Sequence, residues 1–244
     1  MAPAIPFLSL PRPVVLYPLY PRLCIMKTPR VPITLEGYPF ILFAAFTTLV
    51  LALLEFPAAA LPCLLVTALV TWFFRDPERI GPDQADAFVS PADGKVIVAE
   101  EVDDQRFVQG RAYKISIFMN IFNVHVNRVP YQGRVEQILL QPGKFYAADS
   151  ERGALQNERC ALTILSEGNL RYGVVQVAGL IARRIVCWAE KGEALATGQR
   201  YGLIRLGSRL DIYLPLQLKL HVKKGDKVKA GETVIASHAG TVFT

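Results

Sequence analysis

Two short segments and one Gly-Ser pair hold the residues of this chain that could carry out catalysis. Asp93 precedes a glycine in S-P-A-D-G-K-V, His125 stands in N-V-H-V-N-R-V-P, and Ser208 follows Gly207 in R-L-G-S-R. A serine becomes a nucleophile when a base removes its proton and a third group orients that base. Taken singly, each signal has an ordinary structural explanation, since Asp-Gly is a turn pair and a lone histidine is more often structural.

The other histidines and the cysteines do not form a metal-binding pattern. His221 begins the C-terminal segment, where a structural histidine is expected, and His238 lies in a loop-like stretch. The chain has no H-x-H or H-E-x-x-H motif and no C-x-x-C spacing, whereas zinc needs several clustered ligands. We therefore predict no metal site and no disulfide framework, and the cysteines fit a reducing compartment.

An apolar run between residues 37 and 74 contains one charged residue, Glu55. A break at this residue divides the run into Tyr38–Leu54 and Ala58–Phe74, each near the lower limit of about 17 residues for a helix that spans a bilayer. Residues 37–75 are therefore predicted to form a helical hairpin that spans the membrane, with a buried or interfacial helical pair as the alternative. Basic residues flank the hairpin, so the positive-inside rule predicts an inner-membrane protein whose following domain is on the cytoplasmic face.

Residues 1–36 form a proline-rich leader that lacks the features of a signal peptide. Met26-Lys27 resembles a translation start, so we expect translation to begin either at Met1 or at Met26. Mass spectrometry of the native N-terminus distinguishes the two.

The remaining domain, residues 76–244, is predicted to be mainly β. One helical period lies near Ile181–Glu190, and Ser90–Val96 and Lys223–Ala236 each resemble half of a lipoyl-like barrel. We therefore predict an α+β protein, with an N-terminal helical membrane hairpin followed by a mainly antiparallel β domain with a lipoyl-like barrel portion. Runs rich in Val, Ile and Tyr and bounded by Gly, Pro or Asp predict the strands Lys95–Glu101, Ala112–Met119, Arg134–Leu140, Ala161–Ser166, Leu170–Val177 and Leu210–Pro215.

Five motifs, taken together and in order, resemble the short-form phosphatidylserine decarboxylases, a family that depends on a pyruvoyl group. The resemblance covers about residues 30–244 and includes the apolar hairpin. The Gly-Ser motif in its strand context is the most specific element. The motifs are F-F-R-D-P-E-R (73–79), S-P-A-D-G-K-V (90–96), N-V-H-V-N-R-V-P (123–130), N-E-R (157–159) and R-L-G-S-R-L-D-I-Y-L-P (205–215).

The resemblance implies a proenzyme that cuts itself between Gly207 and Ser208 into a β chain, 1–207, and an α chain, 208–244. Ser208 would begin a strand beside His125, which acts as the base, and Asp93, which orients His125. Ser208 would become the pyruvoyl group and form a Schiff base with phosphatidylserine. Loss of CO2 and protonation, with His125 as the leading donor, would then give phosphatidylethanolamine without a metal.

Longer members of the family carry a second histidine where this chain has Arg128. Either His125 serves both self-cleavage and decarboxylation or a water takes one task, and Arg128 could instead hold the substrate phosphate or carboxylate. The expected partners are phosphatidylserine in the membrane, the α and β products of the chain itself and a second copy in a homodimer. The net charge of +6 suits anionic lipid; nucleic acid, which a basic excess also fits, is not expected.

Three other functions stay open on the residues alone. A biotin- or lipoyl-type carrier would use the barrel segment, although the methionines that often flank an acceptor lysine are absent from this tail. A barrel-containing zinc peptidase would need clustered ligands. A non-catalytic membrane scaffold leaves the order of Asp93, His125 and Ser208 unexplained. A carrier would gain mass, a peptidase would bind zinc, a scaffold would stay intact and a decarboxylase would split in two.

Overall fold

Two consecutive apolar helices open the part of the chain that the structure describes. This computed structural model describes residues 32–84, 86–166, 168–179, 184–205 and 208–238, so most of the leader, with the alternative start at Met26, lies outside it. After a 3-10 turn at Leu35–Gly37, helix α1 covers Tyr38–Leu53 and helix α2 covers Pro57–Phe73. Both helices have a proline in their first turn, where a missing N–H breaks no helical hydrogen bond.

The two helices contact each other and join the β domain at their base. The hydroxyls of Thr48 and Thr67 lie 3.1 Å apart and link α1 to α2. At the base, Phe73 and Phe74 are buried in a cluster that includes Val126 of the β domain. The predicted pair of apolar helices is therefore confirmed. By length and composition, residues 35–53 suffice to cross a membrane, and α2 is a shorter apolar helix.

The described strands beyond α2 form three antiparallel sheets, the largest of which is curled. Their orders are β1-β14-β12, β4-β10-β8 and β13-β2-β3-β11-β7-β6-β5-β9. The strands are β1 Ala87–Val89, β2 Gly94–Asp104, β3 Gly110–Met119, β4 Val126–Arg128, β5 Gly133–Gln141, β6 Arg159–Leu165, β7 Arg171–Val177, β8 Ile185–Cys187, β9 Ala194–Leu195, β10 Arg200–Ile204, β11 Ser208–Pro215, β12 Leu218–Leu220, β13 Lys227–Val228 and β14 Val234–His238.

The core lies on the inner face of the large sheet. Alternate residues of its central strands, such as Ile115 and Ile117 of β3 and Leu210 and Ile212 of β11, are completely buried in one apolar cluster. Because successive side chains of a strand point to opposite faces, this alternation commits one face of each strand to the core. The core thereby holds the first residue of β11, Ser208, in a rigid position.

All six predicted strands are confirmed, with bounds that differ by a few residues. The helical period near Ile181–Glu190 was wrong where the structure describes it, because Ile185–Cys187 is strand β8 and pairs with β10. Strand formation depends strongly on tertiary context, and here the residues pair with β10, the middle strand of a three-stranded sheet. One short helix, α3 at Glu151–Gln156, was not predicted; it begins where the Ser150 hydroxyl accepts the Gly153 N–H.

The two segments with barrel-like sequences come together in the structure. Strand β1 and strand β14 pair antiparallel, and β13 pairs with the start of β2 through Lys227–Lys95 and Val228–Gly94. The turn before β2 is therefore covered by the C-terminal segment, and this contact positions Asp93.

Candidate active site

Ser208 lies at the start of the central strand of the large sheet. It opens β11, which pairs with β3 and β7, and its register partner is Met119, the last residue of β3. The side chain is fully buried, and its hydroxyl donates to the Met119 sulfur at 3.9 Å. The prediction that Ser208 begins a strand is thus confirmed, while Gly207 lies outside the described residues.

A buried polar layer connects Ser208 with strand β4. Asn127 donates from Nδ2 to the same Met119 sulfur at 3.7 Å and accepts from Gln176 Nε2 at 2.9 Å. All of these side chains are shielded from solvent. Within the described residues, Gln176 Oε1 is buried without a hydrogen-bond partner. An unsatisfied buried polar atom is costly, and functional sites are where a fold tolerates one.

His125 immediately precedes β4, and its backbone lies beside the segment that leads to Ser208. Its carbonyl accepts the Ile204 N–H at 3.3 Å, four positions before Ser208. The ring is fully buried, and its centroid is 4.4 Å from that of Phe73, at the end of α2. Nδ1 lies 3.0 Å from the carbonyl oxygen of Asn123. Nε2 is buried and has no hydrogen-bond partner among the residues that the structure describes.

The contact with Asn123 determines which nitrogen of His125 can act as a base. A carbonyl oxygen only accepts, so Nδ1 carries the proton in the neutral ring and Nε2 keeps its lone pair. Burial lowers the pKa of His125 to about 4; the Asn123 hydrogen bond opposes this shift and the Arg75 charge adds to it. At neutral pH the ring is therefore uncharged, with an accepting Nε2.

Asp93 is held by groups other than the histidine. Its Oδ2 is 2.8 Å from the guanidinium of Arg79, and its Oδ1 accepts the Ala230 N–H at 2.7 Å. Among the described residues, no hydrogen bond joins Asp93 to His125, whose Nδ1 contacts the Asn123 carbonyl. The structure thus places the His125 backbone beside the segment that leads to Ser208, and it shows no hydrogen bond between Asp93 and the imidazole.

Arg128 is buried and its guanidinium contacts the protein itself. It donates to the carbonyls of Gly198 and Pro77 at 3.0 Å each, and Asp76 Oδ1 lies 3.5 Å away. Burial lowers the pKa of Arg128, with the charge of Arg200 acting in the same direction. These contacts tie the segment after α2 to the β domain.

The other two histidines lie in the sheet formed by β1, β14 and β12. Nε2 of His221 is 2.8 Å from the Ser237 hydroxyl, and the His238 ring lies against Phe88 and Tyr131. Over the described ranges, no three His, Cys, Asp or Glu side chains are grouped so that they could hold a metal ion.

Sequence reasoning missed three residues around the buried histidine and serine: the Asn123 carbonyl, Met119 and Phe73. Asn123 and Phe73 stand inside quoted motifs, so their positions were marked while their contacts were not. The contact of Asn123 is made by its backbone carbonyl, which every residue has, so the residue type does not reveal it. Met119 is recognisable from the sequence only as the last apolar residue of a predicted strand.

Known proteins of one family resemble this chain over most of its length. The sequence profile of the family described as phosphatidylserine decarboxylase matches residues 66–236. A phosphatidylserine decarboxylase proenzyme from Desulfotalea psychrophila is 55% identical over 210 residues, covering 86% of this chain and 98% of the relative. Proenzymes of the same name are 50% identical in Geotalea uraniireducens, with the same coverage, and 47% identical in Ralstonia nicotianae, over 85% of this chain and 96% of the relative. The chain belongs to the phosphatidylserine decarboxylase family.

Proposed function

We propose that this chain is a membrane-anchored proenzyme that cleaves itself between Gly207 and Ser208 and then decarboxylates phosphatidylserine to phosphatidylethanolamine and CO2. The observation that carries the proposal is that the chain buries both a serine, at the start of β11, and a histidine whose Nε2 has no partner in the described part of the chain. Self-cleavage requires a nucleophile and an unprotonated base of this kind.

Self-cleavage needs a base that is unprotonated in the folded chain. His125, with its lowered pKa, would accept the Ser208 proton at Nε2 while the Asn123 carbonyl holds Nδ1–H. The serine oxygen then attacks the Gly207 carbonyl carbon, and the acyl group moves from nitrogen to oxygen. Loss of the serine α-proton and cleavage of the ester C–O bond leave the Gly207 carboxylate and a dehydroalanine. Addition of water releases ammonia.

The position of Ser208 fits the pyruvoyl group that such cleavage leaves at the new N-terminus. The residue is fully enclosed, so a reactive carbonyl there would be protected from bulk water. When formed, the group supplies the electron sink for decarboxylation. In each turnover, His125 Nε2 would take up a proton from water and deliver it to the substrate carbon after CO2 has left, and its low pKa favours giving that proton up.

The roles of Asp93 and Arg128 remain predictions. In the described fold Asp93 has no direct hydrogen bond to His125. If Asp93 orients His125, it would therefore have to act through its ion pair with Arg79. Arg128 as a substrate-binding residue would have to exchange its contacts with Gly198 and Pro77.

The helical pair supports a location in the membrane. The outward faces of α1 and α2 leave large apolar side chains exposed, among them Phe43, Phe46, Leu53 and Leu65. The turn between the helices holds Glu55, whereas Arg75 and Arg79 follow α2, so the β domain, with its lipoyl-like barrel portion, would face the cytoplasm. A site beside the base of the helices lets a two-chain lipid present its headgroup without leaving the bilayer.

Intact mass spectrometry tests the proposal on the purified full chain. Two chains that divide at Gly207–Ser208, with the shorter one blocked by a pyruvoyl group, are the expected result, together with CO2 release from phosphatidylserine. Ser208→Ala should remain one chain without activity. Thr163→Ala, which removes a buried hydroxyl from strand β6, serves as the matched control and should still divide. A wild-type chain that stays whole while folded, or an active Ser208→Ala variant, contradicts the mechanism.

A further inference from the structure

A large apolar cavity lies between the base of the helices and the β domain. Its volume is about 580 Å³, within the range of about 300–1,000 Å³ typical of small-molecule sites. Phe40 of α1, Trp72 of α2 and the Ile121–Phe122 loop contribute apolar walls. The cavity therefore opens where lipid-facing helices meet the catalytic domain.

Two arginines stand in this apolar wall. Arg184, which is exposed to solvent, and Arg205, which is half-buried, line the cavity, and the Arg205 N–H donates to the Arg184 carbonyl at 3.4 Å, which sets the two residues side by side. The Arg205 guanidinium carbon lies 5.2 Å from the centre of the Phe40 ring, and its Nε is buried with no hydrogen-bond partner in the described ranges. No carboxylate of the described residues forms an ion pair with either side chain.

Two nearby arginines, Arg75 and Arg128, differ from this pair because their guanidinium groups already donate hydrogen bonds to the protein. Arg75 donates to the carbonyls of Trp72 and Phe122 at 2.8 and 2.6 Å, and Arg128 donates to two carbonyls and faces Asp76. A cation in an apolar wall is costly unless it meets an anion or a full set of acceptors. The buried Nε of Arg205 therefore calls for a ligand that carries negative charge.

The cavity borders the candidate active site through one shared residue, Phe73. Phe73 forms part of its wall and also packs on the ring of His125 at 4.4 Å. Arg205 lies three positions before Ser208 in the chain. A ligand in the cavity would thus lie against Phe73, which also packs on His125.

We propose that Arg184 and Arg205 bind the phosphodiester of a single glycerophospholipid, whose acyl chains lie against the apolar walls of this cavity. The proposal rests on the proposed function and names the part of the site that recognises the lipid. Arginine is suited to this task because its planar fork donates two parallel hydrogen bonds to phosphate oxygens. Apolar walls next to that fork distinguish a lipid phosphodiester from free phosphate.

Binding without turnover tests the proposal independently of decarboxylation. The chain has two tryptophans, so in the full-length Ser208→Ala, Trp188→Phe variant the remaining Trp72 reports on the cavity. The probes are dihexanoylphosphatidylserine, dihexanoylglycerol, which lacks the phosphate, and inorganic phosphate. We expect Arg184→Gln and Arg205→Gln each to weaken binding of the phospholipid about tenfold and to leave binding of the diacylglycerol unchanged.

Arg111→Gln is the matched control, because Arg111 is an exposed arginine of strand β3 that pairs with Glu101 outside the cavity. It should leave phospholipid binding unchanged. Equal phospholipid affinity in Arg184→Gln and the control overturns the proposal, and so does inorganic phosphate binding as tightly as the phospholipid. In matured enzyme, Arg184→Gln should raise KM for phosphatidylserine about tenfold with kcat retained. A wild-type chain that binds the lipid probe yet never cleaves itself would contradict the proposed function and leave the phosphate site standing.

Discussion

The Nδ1 atom of His125 lies 3.0 Å from the carbonyl oxygen of Asn123, two residues earlier in the chain. This contact is made entirely within one loop, so the base at the site is oriented by its own local backbone. It keeps the proton on Nδ1 and leaves Nε2 as the accepting nitrogen.

Stability should depend on pH through His125. Its pKa is about 4 in the folded chain and about 6.5 when unfolded, so the unfolded chain takes up the proton first as pH falls. The contribution to the free energy of unfolding should be complete above about pH 6.5 and decline by about 3 kcal/mol as pH falls toward 4. Urea unfolding of the Ser208→Ala variant at pH 6.5 and at pH 4 measures this loss of unfolding free energy. If the double variant Ser208→Ala, His125→Gln loses the same amount, the pH dependence does not come from His125.

Self-cleavage should depend on His125 and on neither other described histidine. Removing a general base costs about 10²–10⁴ in rate, so His125→Gln should accumulate uncleaved chain in a time course followed by gel. His221→Gln is the matched control, because it removes an imidazole that bonds to Ser237 in another sheet. Cleavage of His125→Gln at the rate of this control would remove His125 as the base.

Asp93→Asn should slow self-cleavage, as the family resemblance implies. The structure adds a second variant, because the contact partner of Asp93 Oδ2 is Arg79 at 2.8 Å. If Asp93 acts through that ion pair, Arg79→Gln should slow cleavage to a similar extent, and the double variant should be no slower than either single one. Normal maturation of Asp93→Asn would remove Asp93 from the mechanism.

Arg128→Ala should destabilise the fold by about 2 kcal/mol, since it removes hydrogen bonds to two half-buried carbonyls and the contact with Asp76, which keeps its ion pair with Arg200. Arg134→Ala, an exposed arginine that donates to the Gly192 carbonyl, is the matched control and should cost about 1 kcal/mol or less. Denaturant unfolding compares the two. The substrate-binding role has a separate readout: a raised KM with cleavage intact supports it, and unchanged kinetics excludes it.

Gly94→Ala should destabilise the domain by about 2 kcal/mol or more, because a Cβ there would lie 2.2 Å from the Phe118 carbonyl oxygen. The glycine is needed for close approach of β2 and β3, not for a left-handed turn. Gly110→Ala is the matched control: Gly110 opens β3 as Gly94 opens β2, and a Cβ there would meet nothing within 4 Å. An equal decrease in Tm for Gly94→Ala and Gly110→Ala would show that the close approach of β2 and β3 is not the reason for a glycine at position 94.

The sequence by itself determined the elements and the order of the reactive residues. Two apolar stretches broken at Glu55 predicted α1 and α2, and runs rich in β-branched residues predicted six strands, because both patterns are local consequences of side-chain periodicity. Asp93, His125 and Ser208 were found through the order of their motifs. The helical prediction near Ile181–Glu190 was wrong because β8 forms by pairing with β10, and a local sequence pattern does not reveal such a partner.

Only the tertiary structure decided what each of these groups contacts. Asp93 forms an ion pair with Arg79 and accepts the N–H of Ala230. Ala230 lies 137 positions further along the chain, and it reaches Asp93 because the C-terminal segment folds over the turn before β2. Arg205 meets Phe40 because the base of the helices docks on the β domain. Such contacts depend on how whole elements pack, and a side chain's type does not specify the partner that packing brings to it.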